Sequence, residues 1–352
     1  MMSPPDWKKP DKPSTDHLRS YVDRVMPNVE EELHQVLALA ENPAYLPLYH
    51  ILAYHLGWEG EGAGQEAAGK RVRSLLALLS TEAAGGDWQK ALPAAGAVEL
   101  LHNFSLIHDD IEDRSPLRRG RPTVWKIWGI PQAINAGDAL FTLAHLAILR
   151  LETTISPDVA LQASRLLKET SLKLTQGQHL DIAFESQIEP DLEAYWNMVS
   201  GKTAALLSAC CELGALVSRA NDEQRSHYRQ FGHFLGLAFQ ARDDLLGIWG
   251  NSDQTGKSIA SDITTSKYTL PVVFGLQRGE TFAARWRQGN IQPDEINAIR
   301  AQLEEIGADS FTIETVSNLT RQAITSLEQA KPNPEAGAAL EELALRMVDR
   351  QR

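Results

Sequence analysis

The chain has 352 residues, with 34 Lys+Arg against 46 Asp+Glu and a formal net charge of −12. That balance argues against nucleic acid as the main partner, because a surface that follows a phosphate backbone is usually basic. A hydrophobic share of 43% is enough for a sizeable core, and Gly and Pro are not enriched into any fibrous or low-complexity class. The two cysteines, Cys210 and Cys211, are adjacent, so no disulfide framework is implied and a reducing, cytoplasmic location is expected.

The N-terminal stretch is polar and proline-rich and lacks the apolar core of a signal peptide. Roughly the first 15 residues are expected to be a disordered tail. No run of 18 or more apolar residues is evident, so no membrane span is expected. From residue 16 to 352 the sequence reads as one all-α domain, because Ala, Leu, Glu, Gln and Arg dominate and alternating β-type runs are scarce. Breaks are expected at Ala84–Asp87, Arg114–Thr123, Ser156–Asp158, Gly250–Ser258, Gly289–Asp294 and Lys331–Pro334.

A small basic cluster, GKRVR, occupies residues 69–73. The next helix spans about Pro93 to Asp113, where Leu100, Phe104, Ile107 and Ile111 form one apolar stripe. Asp109 and Asp113 lie one turn apart on a shared face, with His102 and Ser105 roughly on the same side. Carboxylates beside an apolar stripe repel each other and lose hydration. A solvated helix face is one explanation. The other is Mg²⁺, which takes oxygen ligands and joins one or two carboxylates to substrate phosphates.

Arg118 and Arg119 follow directly, in RRGRPT. Lys202 and Thr203 sit in SGKTAALL, which lacks the preceding strand and spaced glycine of a P-loop. A second acidic helix, about Tyr228 to Ile248, carries Asp243 and Asp244 in strongly apolar surroundings, with Gln240 three residues earlier. A solvated face explains this pair poorly. Two such helices face to face would cage a cluster of Mg²⁺ ions around a diphosphate. Lys257 and Lys267 come next, and Arg and Lys suit phosphate oxygens.

The order of GKRVR, ELLHNFSLIHDDIEDRSPLRRGRPT, GQHLD, GKT, FQARDD and GKSIASDITTSKYTLP resembles the trans-isoprenyl diphosphate synthases, which make farnesyl, geranylgeranyl and longer prenyl diphosphates. The resemblance runs from about Gly69 to Pro271. It implies an all-α bundle around a deep central cavity, a homodimer, and about three Mg²⁺ ions per active site. Asp109, Asp113 and Asp243 would be the metal ligands. Asp110 and Asp244 would support the metals through their waters, and Asp181 would support the same region. Arg118, Lys202 and Lys267 would clamp the allylic diphosphate, with Lys257 assisting. Lys70, Arg73, His102 and Arg119 would form the isopentenyl diphosphate site. Thr203, Gln178 and Gln240 would lie near the developing allylic cation. The histidines at 108, 145, 179 and 233 are expected to be structural.

The family's second acidic motif is often DDxxD, whereas here it reads DDLLG, with Gly247 where a metal-facing carboxylate would sit. The implied reaction is ionisation of an allylic diphosphate, attack by isopentenyl diphosphate, and proton loss. The resemblance also implies that product length depends on the residues four and five before the first Asp, here Ser105 and Phe104. Helix geometry places them roughly 40° and 140° from Asp109. Small Ser105 leaves room and Phe104 walls the pocket from one side, so C20 is the expected product, with C15 next. Two alternatives use the same residues. One is a class I terpene synthase, which would not need the second, basic diphosphate site. The other is a non-catalytic partner subunit, which would tend to lose the aspartates.

Overall fold

The computed structural model describes residues 17–186, 189–250 and 261–349. The expected N-terminal tail and Lys257 lie outside the described residues. Helix α1 (His17–Leu37) is followed by α2 (Leu46–His55), α3 (Val72–Ala83) and α4 (Leu92–Glu112). A two-stranded hairpin then pairs β1 (Leu117–Arg118) with β2 (Arg121–Pro122), in the register Arg118 to Arg121. The chain continues through α5 (Ile130–Leu149), α6 (Pro157–Ser186), α7 (Leu192–Val199), α8 (Ala205–Val217) and α9 (Asp222–Trp249). It ends with α10 (Leu270–Arg278), α11 (Ala308–Gln329) and α12 (Pro334–Val348). Short helical turns join several of these, and the all-α expectation holds.

The bundle is organised around α8. Its sequence, ALLSACCELGALV, has almost no polar face, and nearly every residue is buried, as befits a helix surrounded by others. It packs on α3, α6 and α9, while α9 packs on α11, and α4 packs on α3 and α5. Cys210 and Cys211 lie inside α8, and burial pushes the Cys211 thiol up to about 12, so it is a packing residue rather than a nucleophile.

Local chemistry fixes the helix ends that matter for the site. Asp191 accepts a hydrogen bond from the Ala194 amide to start α7, and Asn221 accepts from Gln224 to start α9. A smaller apolar cluster gathers the end of α9 with the segment after it: Ile248, Ile263, Val272, Phe282, Trp286 and Leu303.

The segment Ile130–Thr154 is long and apolar enough to cross a membrane by length and composition. The Asp, His and Thr residues interspersed through it hide it from a search for unbroken apolar runs. In the fold it packs on α4, with Ala133, Ala136, Leu140, Ala144 and Ile148 buried.

Candidate active site

The first acidic helix delivers its carboxylates at its C-terminal end. Asp109 lies in the last full turn of α4, and Asp113 caps that helix. The negative end of the helix dipole adds to the repulsion there, so the end of α4 calls for a cation. Burial raises the Asp109 carboxyl to about 6, and Asp113 and Glu112 push the same way against Lys202 and Arg118.

The cations that meet these groups come from elsewhere in the chain. Lys267 Nζ lies 3.8 Å from Asp113. Lys202 Nζ donates to Asp181 Oδ2 at 2.5 Å and feels the charges of Asp109 and Asp113. Lys202 belongs to one turn of π-helix, Ser200–Ala204, between α7 and α8. Such turns interrupt the regular hydrogen-bond ladder and re-aim side chains. Gly177 of α6 allows this turn to approach: a Cβ there would come within 2.1 Å of the Lys202 nitrogen. The spacing of GQHLD and GKT in the sequence therefore reflects a backbone-to-backbone contact that brings Lys202 to Asp181.

The same π-turn points Thr203 at the second acidic helix. Thr203 Oγ1 donates to Gln240 Oε1 at 2.8 Å, and Gln240 Nε2 donates to Asp244 Oδ1 at 2.9 Å. Buried Asp244 also accepts from the Tyr195 hydroxyl at 2.6 Å and the Leu270 amide at 2.8 Å. Because each link has one sense, the Thr203 proton is committed to Gln240 and its lone pairs are left for an electron-poor ligand. Burial raises Asp244 to about 7 despite these three donors, and Asp262 adds to the rise.

Several expected site residues are engaged by protein groups. Asp110 and Asp244, expected to support the metals through their waters, are both buried and hydrogen-bonded within the protein. Asp110 is 2% exposed and accepts from Arg118 Nε and Nη2 at 2.9–3.0 Å. Asp244 is 5% exposed and bound as described. Both neighbours of the outward aspartates are spent on orienting protein groups, because adjacent helix positions point about 100° apart. Asp243 itself is half-buried on α9. Gln178 Nε2 donates to Glu112 at 2.7 Å, beside the first acidic pair. Among the described residues no three carboxylate, imidazole or thiol groups stand close enough to hold a metal by themselves.

Gly247 is not a gap. A Cβ built on it would lie 1.8 Å from Asp262 Oδ2, so the Asp262 carboxylate already occupies the space that a side chain at 247 would need. Sequence reading singled out Gly247 but not Asp262, since fourteen intervening residues separate a helix position from a short helical turn that returns over it.

A second, cationic region lies about two turns earlier along α4, at His102. Lys70 is exposed, Arg73 and His102 are half-buried, and Arg119 stands on the hairpin. Burial holds the His102 imidazole well below its usual range, reinforced by Arg73, Arg119, Arg118 and His55. Burial also lowers the Arg119 guanidinium, and Arg71, Arg118 and Arg73 lower it further against the pull of Glu99. Neutral His102 among several guanidiniums suits an anion. Arg71, inside the GKRVR cluster, was missed. It adopts a left-handed backbone (φ 47°) and buries its side chain against Glu30 at 2.8 Å and Glu99 at 3.4 Å, which separates Lys70 from Arg73. His55 was also missed: burial, then Arg118, Arg119 and Arg71, depress it to about 3, and its Nε2 is buried without a partner.

The chain-length candidates sit between α4 and α5. Phe104 packs 5.1 Å from Phe141 and 4.8 Å from His108. Ser105 Oγ donates to the His102 carbonyl at 2.8 Å. His145 Nδ1 meets the Phe141 carbonyl at 2.8 Å, and His179 is exposed on α6.

Comparison with known proteins identifies the family. Residues 63–304 match the family model described as polyprenyl synthetase. A (2E,6E)-farnesyl diphosphate synthase of Mycobacterium tuberculosis is 39% identical over 311 residues, 86% of each chain. A geranylgeranyl diphosphate synthase of the same organism is 46% identical over 233 residues, 65% of each chain. The solved geranylgeranyl pyrophosphate synthase of Corynebacterium glutamicum, complexed with isoprenyl diphosphate and magnesium, superposes with a TM-score of 0.82 at 28% identity, covering 94% of this chain and 99% of the other. The chain therefore belongs to the polyprenyl synthetase family.

Proposed function

We propose that the protein is a Mg²⁺-dependent, chain-elongating trans-prenyltransferase that condenses isopentenyl diphosphate with an allylic diphosphate and releases diphosphate. The observation that carries this reading is the pairing of two unlike anion sites on one helix. One end of α4 presents Asp109 and Asp113 beside Lys202 and Lys267. Two turns earlier the same helix presents His102 to a group of guanidiniums. A diphosphate lyase or cyclase needs the first site only.

The donor set suits Mg²⁺. Carboxylate oxygens predominate, and too few stand together to hold a cation without the oxygens of a substrate, which is how Mg²⁺ commonly binds. Asp109, Asp113 and Asp243 would hold the metals, with Asp262 beside Gly247 as a further carboxylate. When bound, Mg²⁺ neutralises charge on the leaving diphosphate. Lys202, Lys267 and Arg118, the last fixed by Asp110, hold the allylic diphosphate in place, and charge growing there meets a preorganised field. Thr203 offers its lone pairs and Gln240 its remaining carbonyl lone pair to the allylic cation at C1. Lys70, Arg73, His102 and Arg119 bind the second diphosphate and orient its double bond toward C1. The proton lost at the end passes to the released diphosphate.

Phe104, backed by Phe141, walls the pocket below the first aspartates, and we assign C20 as the product, with C15 next. Relatives of both product lengths match the chain. The described residues are read as one folded unit. A homodimer would cover apolar surface left open on α5 and α6, where Ile130, Ile134, Leu146, Leu149, Leu161 and Leu172 are 43–65% exposed.

The test is incubation with Mg²⁺, isopentenyl diphosphate and each allylic primer from C5 to C15, with products dephosphorylated and sized. Elongation to C20 is expected. No elongation with any primer, or a cyclic hydrocarbon formed from one substrate alone, would overturn the reading.

A further inference from the structure

Arg121 has no part in the site as described, yet it is one of the most constrained cations in the molecule. It is 8% exposed, and no carboxylate among the described residues pairs with it. Instead its Nε donates to the Glu61 carbonyl at 2.9 Å, Nη1 to Tyr54 at 2.9 Å and Nη2 to Glu59 at 2.5 Å. Its guanidinium also lies 3.9 Å from the centre of the Tyr54 ring, and the Tyr54 hydroxyl donates to the Pro122 carbonyl at 2.8 Å. Glu59 and Glu61 thus meet Arg121 through their backbones. The Glu59 carboxylate is turned to His50 at 2.8 Å.

The hairpin that Arg121 closes needs such an anchor. Its two central residues, Arg119 and Gly120, have φ of 51° and 75°, so the turn holds a bulky residue in the left-handed region. That conformation is costly for a residue with a Cβ. A ladder of two residue pairs does not hold itself together in water. With the hairpin anchored, Arg119 reaches over Gly69, where a Cβ would lie 2.6 Å from its Cζ, and donates to the Ala67 carbonyl at 2.8 Å. Anchoring through carbonyls in place of carboxylates leaves the positive charge of the pocket uncancelled.

We propose that Arg121 is a positioning residue for the isopentenyl diphosphate subsite: by locking the 117–122 hairpin onto the 54–61 segment it fixes where Arg119 meets the diphosphate. This deepens the function proposed above and rests on it. The guanidinium fork is what acts, so Lys is a poor substitute despite its charge.

The experiment compares Arg121→Gln, Arg121→Lys and Tyr54→Phe with the unaltered protein. For both Arg121 variants KM for isopentenyl diphosphate is expected to rise about tenfold, equivalent to about 1.4 kcal/mol. KM for the allylic substrate and kcat are expected to move less than about twofold, the signature of lost binding at one subsite. Calorimetric binding of isopentenyl diphosphate in EDTA should weaken by the same factor. Tyr54→Phe should move both quantities in the same direction by a smaller factor. An unchanged KM, an equal fall in kcat, or a fully active Arg121→Lys would overturn the proposal. Should the Arg121 variants fail to fold by circular dichroism, Tyr54→Phe decides: an unchanged affinity refutes the role. If the unaltered protein elongates no primer, the functional reading fails by itself. Inorganic pyrophosphate binding in EDTA then still tests whether Arg121 positions Arg119.

Discussion

Restoring an aspartate at position 247 is the change that the sequence most invites and the structure most opposes. In Gly247→Asp the new Cβ would start 1.8 Å from Asp262 Oδ2 and 2.6 Å from its Cγ, so Asp262 must be displaced. Helix propensity barely changes, since Gly and Asp are both poor helix formers. Electrostatics then decides the outcome. Two carboxylates about 4 Å apart repel by about 1 kcal/mol in water and about 4 kcal/mol at an effective dielectric of 20. Nearby Asp244, already raised to about 7 in part by Asp262, would be pushed the same way. The variant should therefore melt several degrees lower in EDTA, at roughly 2–4 °C per kcal/mol for a large domain. Mg²⁺ with inorganic pyrophosphate should recover part of the loss, because a cation offsets the added charge. Gly247→Ala is the control. It meets the same obstruction without the charge and gains about 1 kcal/mol of helix propensity, so its melting temperature should stay close to that of the unaltered protein. Differential scanning fluorimetry with and without Mg²⁺ reads all three. A Gly247→Asp protein as stable as the parent in EDTA, or one with higher activity, would refute the reasoning.

Tyr195→Phe removes a donor from buried Asp244 and should destabilise by about 1–3 kcal/mol. The native state holds a proton on Asp244 up to about pH 7, so stability falls as pH rises between the ordinary carboxylate range and that value. Losing Tyr195 lifts Asp244 further, so urea melts should show a larger deficit at pH 8 than at pH 5.5; equal deficits would count against it. Asp109, raised to about 6, should make Mg²⁺ compete with a proton. Below pH 6 the apparent Mg²⁺ affinity should fall by up to about tenfold per unit, and Asp109→Asn should abolish that slope while lowering turnover at least about a hundredfold. Phe104→Ala should lengthen the products, and an unchanged distribution would remove Phe104 from the floor of the pocket.

Much of this was legible in the chain itself. The stripe through Leu100, Phe104, Ile107 and Ile111 and the turn-apart pair Asp109 and Asp113 set the helix and its acidic face, because helical periodicity is a local property. The order of GKRVR, RRGRPT, GKT and FQARDD named the family. What those motifs do to one another was not legible. Asp109 and Asp110 look alike in sequence, yet only the hairpin decides that Arg118 takes Asp110. Nothing near Asp244 in sequence announces Tyr195, because their contact joins helices 49 residues apart. The π-turn at Ser200–Ala204 depends on the close approach of Gly177, a packing event between two helices.

The sequence by itself determined the all-α class, the family and the residue types available for diphosphate chemistry, since spacing and composition carry all three. Only the tertiary structure decided that Gly247 is filled by Asp262, that Arg121 is an anchor rather than a ligand, and that Asp244 is a hydrogen-bond acceptor for Tyr195, Gln240 and Leu270. The physical reason is common to all three. A side chain's role follows from which partner reaches it first in space, and residues distant along the chain supply that partner.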